Sequence, residues 1–178
     1  LAARFGMSYE QLDALVFNSP TGKQAEAGLI ADSEHHRYLM QSLNIQETDL
    51  PDFFDQFFAG DRLDEDLLKF LHSYRGKILL GLLSNAWRNA ADALRKRYCI
   101  HQFFDVVVFS AEVRLAKPDP AIFHLVEEKA GIAPAQIVFL DDNEANIAAA
   151  RMAGWYAIPF RSAEQAKHEI LRVLAEPA

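Results

Sequence analysis

Short apolar runs alternate with helix-length segments after Gly76, and that alternation constrains the fold more than any other feature of the chain. Residues 78–83 form a nearly continuous apolar run, the pattern of a strand buried on both faces. Further runs follow at 106–109, 137–140 and 156–158. Between them lie a segment with Ala90, Ala93 and Leu94 on one face, one from about Pro120 to Ala130, and one from Glu144 to Ala153 that ends at Gly154. A last helix is expected after Ser162, which pairs with Gln165 as a capping box. Strands separated by helices of about ten residues predict a parallel α/β sheet.

The region before this carries helix signals and no strand pattern. Ser8 with Gln11 makes a capping-box pair ahead of Leu12, Leu15 and Val16. Residues 18–22 read as a loop by composition, and Asp32 or Ser33 is expected to cap a helix through Tyr38, Leu39 and Leu43. Phe53, Phe54, Phe57 and Phe58 recur at helical spacing. Asp64 opens another helix with Leu67, Leu68 and Leu71 on one face, and Gly76 is placed to close it. The expected organisation is a helical part over 1–65 and an α/β part over 66–178.

Composition narrows the function. Eighteen Lys and Arg against twenty-five Asp and Glu give a formal charge of −7, the opposite of a nucleic-acid footprint. The longest apolar run falls far short of the roughly 20 residues of a membrane span. The single cysteine, Cys99, cannot close an intramolecular disulfide, and no signal peptide is visible, so a cytoplasmic location is expected. Cys99 itself reads as a small buried hydrophobe.

In open α/β sheets, ligands bind beyond the carboxyl ends of the strands. The polar residues there are Ser84 and Asn85 after the first run, Lys117 in Ala116-Lys117-Pro118-Asp119-Pro120 past the second, and Asp141-Asp142-Asn143 after the third. A hydroxyl, a lysine and an acidic pair on one edge suit a phosphoryl group, with the carboxylates holding magnesium. Each piece also has a structural reading: Ser84-Asn85 as a helix start, Lys117 as a solvated lysine, Asp119 as a helix cap. Adjacent carboxylates in a crevice repel unless a cation or proton intervenes, so Asp141-Asp142 is the hardest to explain by structure alone.

Together these segments resemble motifs two, three and four of the haloacid dehalogenase-like (HAD) hydrolase superfamily. The resemblance rests on Leu83-Ser84-Asn85, on Ala116 to Pro120 with Ile122-Phe123, and on Phe139 to Ile147. It implies a Rossmann-like parallel sheet core preceded by an α-helical cap. It further implies a magnesium-dependent phosphatase of a small phosphorylated metabolite, acting through an aspartyl phosphate. Ser84, assisted by Asn85, would bind phosphoryl oxygens. Lys117 would steady the nucleophile and the phosphoryl charge. Asp142 would be the main Mg2+ ligand, with Asp141 helping directly or through water.

The family's first motif, a strand ending in Asp-x-Asp, has no counterpart. Asp64-Glu65-Asp66 has the letters but opens a helix and follows no strand. In the family that strand lies between those ending here at Ser84 and Asp141. The expectation is an N-terminally truncated chain that is inactive as written. Two alternatives remain: a non-catalytic phosphate-binding or regulatory module, and a 2-haloacid dehalogenase. The acidic pair argues against the dehalogenase, since a halide leaving group needs no magnesium. His35, His36 and Arg37 read as a solvated helix face that could instead contact substrate. Trp87 reads as lying near the site mouth or packing at a helix start, and the Phe-rich segment as core of the helical part or a pocket wall.

Overall fold

The computed structural model describes residues 1–175; the last three residues of the expected 66–178 region lie outside the described residues. Four parallel strands form two pairs. Strand β1 (Gly81–Ser84) runs beside β2 (Val106–Phe109), and β3 (Val138–Asp141) beside β4 (Tyr156–Pro159). No ladder joins β1 to β3 among the described residues. The first run is therefore a strand only from Gly81, and it is half-covered rather than buried on both faces; Leu79 stays 39% exposed.

From Gly81 onward helices alternate with the strands as the sequence pattern predicts, after a helical part. The helical part comprises α1 (Tyr9–Asp13), α2 (Pro20–Glu26), α3 (Asp32–Leu43) and α4 (Leu50–Phe57), with a π turn over Ala14–Asn18 between α1 and α2. Then come α5 (Glu65–His72), α6 (Arg88–Tyr98), α7 (Ser110–Val113), α8 (Pro120–Ala130), α9 (Glu144–Met152) and α10 (Ala163–Ala175).

Both strand pairs share one core. Val108 of β2, Phe139 of β3 and Ala157 of β4 pack with Ile122 and Phe123 of α8, Ile147 and Ala150 of α9, and Trp155. Three aromatic rings, Phe123, Phe139 and Trp155, meet edge to face at 5.1–5.9 Å. The Trp155 indole donates to Glu127 at 2.7 Å, so the buried ring leaves no polar atom unmet.

Local chemistry explains most helix starts. The Ser8–Gln11 box is formed in both directions, Asp64 accepts from Leu67 N, and Asp119 accepts from Ala121 N. Residues 18–22 are no loop. Ser19 caps α2 through Gly22 N and Pro20 supplies the first helical residue, where its missing N–H costs nothing. Helix α3 starts after Ala31, whose N–H is taken by Glu34, and Asp32 is buried inside it. Helix α5 closes at Ser73, with Gly76 (φ 82) in the turn beyond. Cys99 is exposed, because it takes the left-handed position that ends α6 and its side chain points away from the core.

The histidine pair also differs from expectation. His35 is completely buried and Thr21 Oγ1 lies 2.9 Å from its Nδ1; His36 is half-buried, and only Arg37 faces solvent. The reason is Trp87, which sits at the start of α6 but packs into the helical part's cluster with Phe17 (5.6 Å), Phe54 (6.1 Å) and His35 (4.8 Å). Phe53 lies at the centre of that cluster.

Candidate active site

The carboxyl ends of β1 and β3 face each other across the gap between the strand pairs. Lys117 arrives there from the loop after α7 and occupies the space. Its ammonium donates to Asp141 Oδ2 at 2.6 Å and to the Leu83 carbonyl at 3.1 Å. This pair is buried, with side chains only 9% and 6% exposed. The β1 carbonyl would otherwise lack a partner in a place screened from water.

Asn85 fixes the lysine's backbone. Its Nδ2 donates to Lys117 O at 2.9 Å and its Oδ1 accepts from Lys117 N at 2.8 Å. Both ends of the amide are thus committed to holding one residue of a loop 32 positions away. Asp141 is equally fixed: its Oδ1 accepts from Asn143 N at 2.8 Å and from Asn146 Nδ2 at 3.0 Å. Asn143 in turn caps α9 through Ala145 N.

The next carboxylate is free. Asp142 is exposed and accepts no hydrogen bond among the described residues. Ser84 ends β1 beside Asn85, half-buried, with its hydroxyl likewise uncommitted. The structure therefore brings Ser84, Asn85, Lys117, Asp141 and Asp142 to one edge, as the sequence pattern anticipates.

A crevice of about 390 Å³ lies between this edge and the helical part. Asn85, Asp142 and Asn143 line one side, Asp13, Asn18 and Glu26 the other, with Phe17 and Trp87 between. A groove of about 430 Å³ along β4 includes Arg151, Arg161 and Arg172 and none of the strand-end residues.

Three contacts that sequence reasoning missed join the helical part to this edge. Ser110, buried at the start of α7, donates to the Glu26 carbonyl at 2.6 Å and accepts from Ala86 N at 2.9 Å. Asp32 accepts from Asn89 N at 2.7 Å, capping α6 from α3. Glu26 itself is half-buried, and burial pushes its carboxyl above the ordinary range while the Asn85 amide and the Lys117 and Lys23 charges pull it back. None has a local signature; Asp32 reads as an ordinary helix-start acid.

The oxygen-only donor set at this edge fits a hard cation. Among the described residues no three His, Cys, Asp or Glu side chains group to hold an ion by themselves. Magnesium, however, is commonly held by one or two carboxylates with phosphate and water completing its shell. The free Asp142 carboxylate meets that requirement.

Comparison with known proteins agrees with this architecture. Residues 8–154 match the model of the haloacid dehalogenase-like hydrolase family, so the chain belongs to that family. It is 37% identical over 89 residues to a phosphorylated carbohydrates phosphatase of Thermotoga maritima, a match covering 50% of this chain and 40% of that protein. It is 26% identical over 161 residues to the fructose-1-phosphate phosphatase YqaB of Escherichia coli, covering 88% and 81%. The fold resembles that of a predicted HAD-like family hydrolase from Porphyromonas gingivalis, with TM-score 0.78, 24% identity and coverage of 98% and 89%. It also resembles a HAD family enzyme of Bacteroides thetaiotaomicron solved with magnesium and inorganic phosphate, with TM-score 0.71, 24% identity and coverage of 90% and 84%. The chain is thus a HAD-like hydrolase with phosphatase relatives. No helix among the described residues is long and apolar enough to cross a membrane.

Proposed function

We propose that this protein is a magnesium-dependent phosphatase of a small phosphorylated metabolite, with residues 1–65 acting as its cap and 66–178 as its catalytic core. The observation that carries the reading is the buried Lys117 ammonium at the β1 and β3 ends, beside an uncommitted Ser84 hydroxyl and a free Asp142 carboxylate. A phosphoryl group is a small polyanion, and its transfer depends mainly on positioning and charge neutralisation.

In this reading the Ser84 hydroxyl donates to a phosphoryl oxygen, and Asn85 acts mainly by holding Lys117 in register. Lys117 keeps a fixed positive charge at the end of the gap. Asp142 holds the magnesium, which when bound neutralises charge on the phosphoryl oxygens, and Asp141 assists while orienting Lys117. Burial of the lysine beneath the crevice keeps water from screening it.

The nucleophile is a carboxylate delivered between β1 and β3, the gap into which Lys117 points. Among the described residues the only aspartates at that gap are Asp141, committed to Lys117, Asn143 and Asn146, and Asp142, assigned to the cation, so this chain is expected to bind phosphate without turning over an ester. The test is incubation of this chain with a generic aryl phosphate and magnesium, followed by intact mass. No phosphate release and no mass increase are expected. A phosphorylated chain or steady release would show that a residue of this chain supplies the nucleophile. The acidic pair favours this chemistry over a dehalogenase, whose halide leaving group needs no cation. The alternative reading is a non-catalytic phosphate-binding or regulatory module of the same fold.

A further inference from the structure

We propose that the crevice above the strand ends selects the uncharged, hydroxyl-bearing end of a sugar or polyol monophosphate, with Glu26 as the specificity-determining residue that turns away substrates carrying a carboxylate. This deepens the phosphatase reading and rests on it.

Among the described residues no Lys or Arg side chain lines the crevice. Its helical side presents Asp13, Asn18 and Glu26, which are hydrogen-bond acceptors with one amide donor, and its apolar patch is Phe17 and Trp87. A substrate held by its phosphoryl group at Ser84 and Lys117 would place its remaining atoms against that wall. Hydroxyl groups can donate to the two carboxylates, whereas a second anion would meet negative charge in a site partly closed to water.

Glu26 is held in place more firmly than a surface acid. Its backbone carbonyl is fixed by the buried Ser110 hydroxyl at 2.6 Å, and two residues on, Gly28 presses against Ala111 so closely that an added Cβ would collide with the Ala111 carbonyl. The end of α2 is therefore locked to the start of α7. Glu26 lines the same crevice as Asn85 and Asp142, which puts it beside the residues that would hold the phosphoryl group. A rigid acceptor in the crevice wall discriminates between a hydroxyl and a second anion on the substrate's remainder.

The test is calorimetric titration of the protein, in magnesium, with inorganic phosphate, fructose 1-phosphate and phosphoglycolate. Fructose 1-phosphate is expected to bind at least tenfold more tightly than phosphoglycolate. Glu26→Gln, which keeps size and removes charge, is expected to shrink that ratio at least fivefold. Asp13→Asn, on the half-buried end of α1, should shrink it less and serves should the first variant not fold. Equal or tighter binding of phosphoglycolate, or an unchanged ratio in both variants, would overturn the assignment while leaving the phosphatase reading intact. Failure of inorganic phosphate itself to bind would overturn both.

Discussion

His35 makes the stability of this protein depend on pH in a way that can be worked from the structure. The ring is fully buried on α3, tilted against Trp87, and burial lowers its pKa from 6.5 to about 4. In the unfolded chain the same imidazole titrates near its ordinary value. Between these two values the unfolded state binds a proton that the folded state refuses. Stability is therefore full above about pH 6.5, falls as the pH drops, and levels off near pH 4, where both states carry the proton. A fall from 6.5 to about 4 corresponds to a loss on the order of 3 kcal/mol. Glu26 opposes this: its raised pKa adds stability at low pH that is lost as the pH rises through its folded value. Comparing the wild type with His35→Gln cancels that contribution, since both keep Glu26. Urea unfolding at pH 7.0, 5.5 and 4.5 should show the wild type losing about 2–3 kcal/mol more than the variant across the range. Parallel profiles would refute the idea that His35 is held neutral by burial.

Three further outcomes follow from contacts at the edge of the site. Removing the lysine alone, Lys117→Met, should cost about 3–5 kcal/mol because it strands the buried Asp141 charge, whereas Lys117→Met with Asp141→Leu should recover most of it in thermal unfolding. Asp32→Ala should cost about 1–2 kcal/mol by uncapping α6, and Asp32→Asn, which keeps an acceptor for Asn89 N, should cost less than half as much by the same measurement. Gly28→Ala should be far more damaging than Gly6→Ala: both have positive φ, 66° and 67°, but only Gly28 meets neighbouring backbone. The first should prevent stable folding, while the second should cost about 1 kcal/mol in chemical denaturation.

Much of the candidate site is readable from the sequence, because its residues sit at points the chain itself marks. Ser84, Lys117 and the Asp141-Asp142 pair follow apolar runs, and in a parallel sheet every run ends at the same edge. Asn85 is legible as a neighbour of Ser84 but not as the brace of Lys117, since that contact closes a long loop. The residues that fasten the helical part to the α/β part carry no local pattern. His35 and Asp32 sit at polar positions of a helix whose outer face looks solvated, and the start of α6 meets both, Trp87 against His35 and Asn89 N on Asp32. Ser19 and Pro20 look like loop residues but also make a helix start, so composition alone chose wrongly there. Strand β1 begins three residues late because Asp105 accepts from Leu80 N and the chain pairs with β2 only beyond that point. Cys99 is exposed because its backbone position closes a helix, which residue type does not reveal.

The central claim is that the β1 and β3 ends form a magnesium-assisted phosphate site. Its most direct test is a titration of inorganic phosphate, with and without magnesium, into the wild type, Ser84→Ala and Asp142→Asn, followed by calorimetry or phosphorus NMR. Neither substitution removes a buried partner, so both proteins should fold normally. Saturable binding is expected that strengthens with magnesium, weakens at least tenfold in Ser84→Ala, and loses its magnesium response in Asp142→Asn. Binding indifferent to magnesium and to both substitutions would contradict it.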